Sequence, residues 1–235
     1  MRKLFGRTPR VTDRHRRLVW QAVSLLLAYP DEDRAARLAL VARVLDELPP
    51  NLASPLADAV AGLEASSTQQ AAEDYVQTFD LRRRRSLFLT YWTDGDTRNR
   101  GNSMLLFANT YRDCGVEPPS DELPDHLAVV LEFGATVDVA GGLALLEKHR
   151  VPLELLRCAL EEMPSPYAGA VAAVLATVPE PDPAATRLEA QRLAEQGPPA
   201  ESVGLSPYAV TIPVQDLTAP LRGHAGITTR AGEVR

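Results

Sequence analysis

Cysteine is scarce in this chain. There are two in 235 residues, Cys114 and Cys158, and they form no CxxC pair. That excludes a disulfide framework and a cysteine-rich metal centre, and it suits two free thiols in a reduced, cytoplasmic setting. Histidine is nearly as rare, with four residues and no Glu-x-x-His, so a helical metalloenzyme lacks its ligand set. Neither a Walker loop nor a dinucleotide fingerprint is present. Long apolar runs are missing too. The longest, Leu18 to Tyr29, is broken by Gln21 and Ser24 and is too short to span a bilayer. Arg14-His15-Arg16-Arg17 before it has the order of a twin-arginine leader. However, the segment holds Trp20, runs into Tyr29-Pro30-Asp31-Glu32-Asp33 and offers no small-residue cleavage site. The reading is a first helix behind a basic arm.

Aromatic residues make up only 6% of the chain, but seven of the thirteen lie between Tyr75 and Tyr111. The formal net charge is −6, and residues 1–17 hold seven Arg or Lys against one Asp, so the remainder carries −12. An acidic body argues against nucleic-acid binding, which depends on neutralising phosphates. With 45% hydrophobic and 24% charged residues, the composition is that of a globular protein with one core.

Apolar spacing is helical almost throughout. Leu18, Val19, Ala22, Val23, Leu26 and Leu27 form one stripe, with Asp13 as the expected N-cap and Pro30 as the stop. Asp31 is expected to cap a second helix through Leu38, Val41, Val44, Leu45 and Leu48. Ser54-Pro55 reads as a helix start, and Ser67 with Gln70 as a capping box. Leu87 to Trp92 is aromatic enough for a strand, but a lone strand has no partner, so helix or irregular structure is favoured. Further helices are expected from Asn102 to Cys114 with Gly115 as the C′ residue, and from Asp121 or Pro124-Asp125 through Ala135. Two more open at Pro152 and at Ser165-Pro166. Gly141-Gly142 marks an expected weak spot.

Eight of the nineteen prolines fall in residues 179–235, where periodicity ceases beyond a possible short helix at 184–196. The expected organisation is a basic arm over 1–12, one helical domain over 13–178, and a proline-rich, mostly disordered tail over 179–235.

No nucleophile–base pair stands out. Asp94-Gly95-Asp96-Thr97-Arg98 fails as a calcium loop, because Arg98 and Asn99 occupy positions that need an oxygen ligand and a glycine. Arg98 and Arg100 are expected to pair with carboxylates instead. Tyr75 and Phe79 share a helix face at i and i+4, a spacing that serves a core as readily as a binding surface. Asp80 and four arginines, Arg82 to Arg85, follow at once. Asp125 beside His126, with Glu122 four residues back, could accept hydrogen bonds from a basic peptide.

Tyr75-Val76-Gln77-Thr78-Phe79-Asp80-Leu81, with Leu89-Thr90-Tyr91-Trp92-Thr93-Asp94-Gly95-Asp96-Thr97-Arg98-Asn99-Arg100-Gly101, resembles the respiratory nitrate reductase assembly chaperones, often called delta subunits. Glu122-Leu123-Pro124-Asp125-His126-Leu127 and Leu131-Glu132-Phe133 are similar to that family's second motif. The wider family is the redox-enzyme maturation chaperones, and the resemblance covers roughly residues 15–178. It implies an all-α, single-domain helical bundle in the cytoplasm, without catalysis and without a cofactor of its own. It implies a partner, the N-terminal segment of the apo catalytic (alpha) subunit of nitrate reductase. That segment is held until molybdenum cofactor and iron–sulfur clusters are in place, with cofactor-synthesis proteins as further partners. It also implies a peptide surface built from Tyr75, Thr78, Phe79 and Asp80 and from Glu122, Pro124, Asp125 and His126. Thr78 stands where the family pattern has Leu. The alternative is a helical subunit or scaffold that stays permanently bound to a redox complex.

Overall fold

Thr12 starts the fold. In the computed structural model, which describes residues 10–180 and 193, its hydroxyl accepts from His15 N at 3.2 Å and its own N–H donates to His15 Nδ1 at 3.3 Å. This reciprocal cap opens α1 (Asp13–Leu27) one residue before the expected Asp13, which sits in the first turn and pairs with Arg16. The expected apolar stripe is buried: Val19, Trp20, Ala22, Val23, Leu26 and Leu27. Helix α2 (Arg34–Leu45) begins later than its sequence suggests, because Asp31 forms a turn with Asp33 N and an ion pair with Arg37 rather than a cap.

Helix α3 (Pro50–Glu64) corrects a second start. Pro50 takes the first helical position, where a missing N–H costs nothing, and the helix then runs through Pro55. Burial of Leu52, Leu56, Ala59, Val60 and Leu63 on one face outweighs the interior proline. Helix α4 (Thr68–Tyr75) has half of its expected capping box. Ser67 accepts from Gln70 N at 3.2 Å, but the Gln70 amide turns to Asp74. A π-helical turn, Val76–Asp80, and a 3-10 turn, Arg83–Arg85, follow.

The helices after them are α5 (Leu89–Asp94), α6 (Arg98–Asp113), α7 (Leu127–Thr136), α8 (Val139–Lys148), α9 (Arg150–Glu161) and α10 (Tyr167–Leu175). Gly115 ends α6 at φ +77°, as its spacing predicts. Among the described residues the only β pairing is a single bridge between Phe88 and His126. The fold is all-α.

One apolar cluster runs through α1, α3, α7, α9 and α10, with α1 at its centre against α7, α10 and α2. Gly141-Gly142 is no weak spot: both residues lie inside α8, whose N-terminus Asp138 caps. A Cβ on Gly142 would stand 2.6 Å from Gly134 Cα, and one on Gly134 would stand 2.7 Å from the Trp20 ring. The glycines let α7, α8 and Trp20 approach closely. Trp20 then donates to Thr177 Oγ1 at 2.8 Å. Buried Arg150 closes the far end of α10 by donating to Leu175 O and Val178 O. The basic arm before residue 10 and the tail from residue 181, with its expected helix, lie outside the described residues apart from residue 193.

Candidate functional site

The two motif segments meet at paired helix starts. Phe88 precedes α5 and His126 precedes α7, and both are extended, as cap residues are. Leu127 N donates to Leu87 O at 2.8 Å, and Leu89 N donates to Asp125 O at 3.0 Å. The Phe88 and His126 rings meet edge-on at 5.3 Å. Residues some forty positions apart thereby become one surface.

Beneath that pairing Asp125 is wholly buried. Its Oδ2 accepts from Thr90 N at 3.2 Å and from Thr90 Oγ1 at 2.5 Å, so it caps α5, which has no side-chain cap of its own. Arg100 lies 3.8 Å from the same oxygen, donates to Thr90 Oγ1 at 3.3 Å, and stacks over Phe88 and Tyr91. It also pairs with Asp96 at 3.9 Å, so Arg100 takes carboxylate partners as expected. Asp125 Oδ1, Arg100 Nη2 and Thr97 Oγ1 are buried here without a hydrogen-bond partner. Asp125 is expected from the sequence to accept from an incoming peptide; in the fold it accepts from Thr90. Its carboxylate faces inward and serves the N-terminus of α5. The interior partner Thr90 was missed, although it lies inside the motif that carries the resemblance.

Tyr75, Thr78 and Phe79 are also buried. Positions 75, 78 and 79 share one helical face that turns inward, and the π turn that follows is closed by Leu81 N donating to Val76 O at 3.1 Å. Tyr75 donates its hydroxyl to Leu27 O at 3.0 Å, and its ring meets Phe79 at 4.9 Å and Tyr29 at 5.4 Å. Phe79 meets Tyr167 of α10 at 4.9 Å. Thr78 turns toward a pocket of about 250 Å³ that Asp74, Gln77, Ser66, Ser165 and Tyr167 also line. The i, i+4 pair is therefore a core pair with the half-exposed Tyr29 at its edge.

The surface over this wall is acidic. Asp80 is exposed, Glu122 and Pro124 are half-buried, and Leu81 and Leu123 beside them are 68% and 40% exposed. Burial raises the Tyr75 phenol well above its ordinary value, and Tyr167, Asp80 and Glu122 add to the rise. Burial lowers the His126 imidazole, while Glu122, Asp125 and Asp80 pull it the other way. Asp80 and Glu122 thus act on the same two side chains. His126 Nδ1 accepts from Ala128 N at 3.3 Å, so the neutral ring keeps its proton on Nε2. Pro124 contributes its carbonyl, which accepts from Tyr111 at 2.6 Å. Among the described residues no group of three or more His, Cys, Asp or Glu is arranged to hold a metal, and no helix is long and apolar enough to cross a membrane. The arrangement offers apolar contact and acceptors.

Comparison with known proteins agrees with the motifs. The chain is 49% identical over 160 residues to the nitrate reductase-like protein NarX of Mycobacterium tuberculosis, covering 68% of this chain and 24% of that one. It thus spans about a quarter of that relative's length. It is 31% identical over 164 residues to a protein of Bacillus subtilis named "Probable nitrate reductase molybdenum cofactor assembly chaperone NarJ", covering 69% of this chain and 89% of that one. The nitrate reductase molybdenum cofactor assembly chaperone NarJ of Escherichia coli is 30% identical over 149 residues, covering 62% and 63%. A crystal structure of a candidate redox enzyme maturation protein from Archaeoglobus fulgidus superposes with a TM-score of 0.48 at 19% identity, covering 82% of this chain and 99% of that one. Residues 45–173, which contain both motif segments, match the family described as nitrate reductase delta subunit, and the chain belongs to that family.

Proposed function

We propose that this chain is an assembly chaperone for a nitrate reductase, acting by binding and not by chemistry. The client is the N-terminal segment of the apo catalytic subunit, held in the cytoplasm for molybdenum cofactor insertion. The observation that carries this reading is the joining of the two motif segments into one face. Exposed Leu81 follows Asp80 in one segment and exposed Leu123 follows Glu122 in the other, and both carboxylates act on the buried Tyr75 and His126. Apolar side chains of the client rest on the leucines and its basic groups meet the two carboxylates. The buried wall holds that surface in place. The names of the relatives from Bacillus subtilis and Escherichia coli support the chaperone role and the choice of partner. Holding the segment requires only that the chain bind the apo, unfolded state better than the mature enzyme.

Pull-down from cells with and without cofactor synthesis tests this. The apo catalytic subunit is expected in the bound fraction, and more of it when cofactor is absent. Asp80→Lys with Glu122→Lys is expected to reduce capture at least about tenfold, as charge reversal at a complementary face does. Recovery of the mature, cofactor-loaded enzyme in equal amount would instead make this chain a permanent subunit.

A further inference from the structure

Four arginines stand in succession at one place in the described fold. Arg82, Arg83, Arg84 and Arg85 follow one another across a single 3-10 turn. All four line an open groove of about 690 Å³, whose far wall is Ala159, Glu162 and Met163 around the end of α9. Their compensation is thin. Arg83 stands 3.9 Å from Asp96, with both side chains exposed. Arg85 donates to the Met163 sulfur, a weak acceptor. No carboxylate among the described residues pairs with Arg82 or Arg84. The turn itself closes through the backbone, Arg85 N to Arg82 O at 2.9 Å, and needs no guanidinium. In a chain of net charge −6, four adjacent cations repel one another without stabilising the core.

We propose that this groove docks an acidic stretch of a partner protein, with carboxylates on Arg82 and Arg84 and apolar side chains over Leu81 and Met163. Guanidinium forks match carboxylates in a bidentate way. Leu81 is 68% exposed and Met163 37% exposed, which favours a peptide with apolar side chains over a bare phosphate. Glu162 on the far wall repels a second carboxylate, so the acidic groups lie on the arginine side. The groove begins one residue beyond Asp80. A segment crossing both places would carry basic groups at the Asp80 and Glu122 end and acidic groups at the arginine end. The site stands on its own geometry, and only the identity of its partner rests on the chaperone reading.

Fluorescence anisotropy of a short labelled peptide with glutamates interspersed among leucines, titrated with the full chain, tests this. The peptide is expected to bind, with affinity falling roughly tenfold as salt rises from low to several times physiological. Arg82→Glu with Arg84→Glu is expected to weaken it at least about tenfold. The neutral pair Arg82→Gln with Arg84→Gln gives an intermediate loss, and circular dichroism checks that each variant is folded. Equal binding of the lysine-for-glutamate peptide would overturn the proposal, as would unchanged affinity in the arginine variants. Displacement by inorganic pyrophosphate at or below the peptide's own concentration would make this a phosphate site and overturn it too. Acidic-peptide binding without capture of the apo catalytic subunit would leave the groove standing and remove the chaperone reading. The reverse pattern would remove the groove alone.

Discussion

Asp125 has no solvent contact, and its cationic neighbour Arg100 stands 3.8 Å away. Removing one member of such a pair leaves the other poorly compensated, so Asp125→Asn is expected to destabilise the fold by about 3 kcal/mol. Thr90→Val removes the hydroxyl that donates to Asp125 and accepts from Arg100, at a cost of about 1–3 kcal/mol. Urea unfolding measures both, and the double variant should lose less than the sum because the bonds are shared. Near-native stability of Asp125→Asn with lost client binding would return Asp125 to the binding surface. His126 and His149 give the pH dependence. Burial is the largest influence on each and lowers both imidazoles, against the carboxylates around His126 and the Leu145 carbonyl that accepts from His149 Nδ1 at 2.8 Å. The unfolded chain therefore takes up protons first as pH falls. Stability is complete above the ordinary histidine value and declines as pH falls through about 6.5 toward the folded values. The thermal midpoint is expected to be lower at about pH 5.5 than at about pH 7.5, and His149→Gln should flatten part of that slope.

Glycines separate the helices into tight and free positions. In α8, Gly142→Ala drives a Cβ to within 2.6 Å of the Gly134 backbone, and neither helix can yield without moving the other. A loss of about 1–3 kcal/mol is expected, read as a lower urea midpoint. In α6, Gly101 is exposed with nothing within 4 Å of an added Cβ. Gly101→Ala should raise stability by about 0.5–1 kcal/mol through helix propensity. Opposite signs at two helical glycines would confirm that crossing distance, and not residue type, decides. Sequence alone presents Gly141-Gly142 as a break, since it shows a poor helix former and not the partner helix that requires one. Pro55 misleads for the same reason. Locally it looks like a helix start, yet Leu52 and Leu56 on either side of it are fully buried, and one continuous helix keeps both in the core.

At the scale of the whole molecule, the site and the core belong to one apolar cluster. Leu89 and Trp92 of α5 share it with Trp20 of α1. The variants Trp20→Phe and Trp92→Phe leave one tryptophan each, reporting α5 and α1 separately. Their fluorescence midpoints in urea are expected to coincide with each other and with far-ultraviolet circular dichroism. An earlier transition at Trp92 would show that α5 opens locally, with the site as a separate unit of lower stability.

Helical class, the apolar stripes and most helix ends were legible because they depend on local rules. Period 3.6 marks the stripes, and Gly115 adopts a positive φ. The two motif segments were legible as chemistry. Which groups face out was not, since a carboxylate beside a helix start reads alike whether it meets solvent or another helix. Tertiary packing turned Asp125 inward onto α5 and sank Tyr75 and Phe79 against Tyr167. It left Asp80, Leu81 and Leu123 exposed and Glu122 half-exposed on the surface. The residue types in the site are written in the chain. Their burial is decided only when segments distant in sequence compete for the same interior, because desolvation depends on neighbours that no local pattern contains.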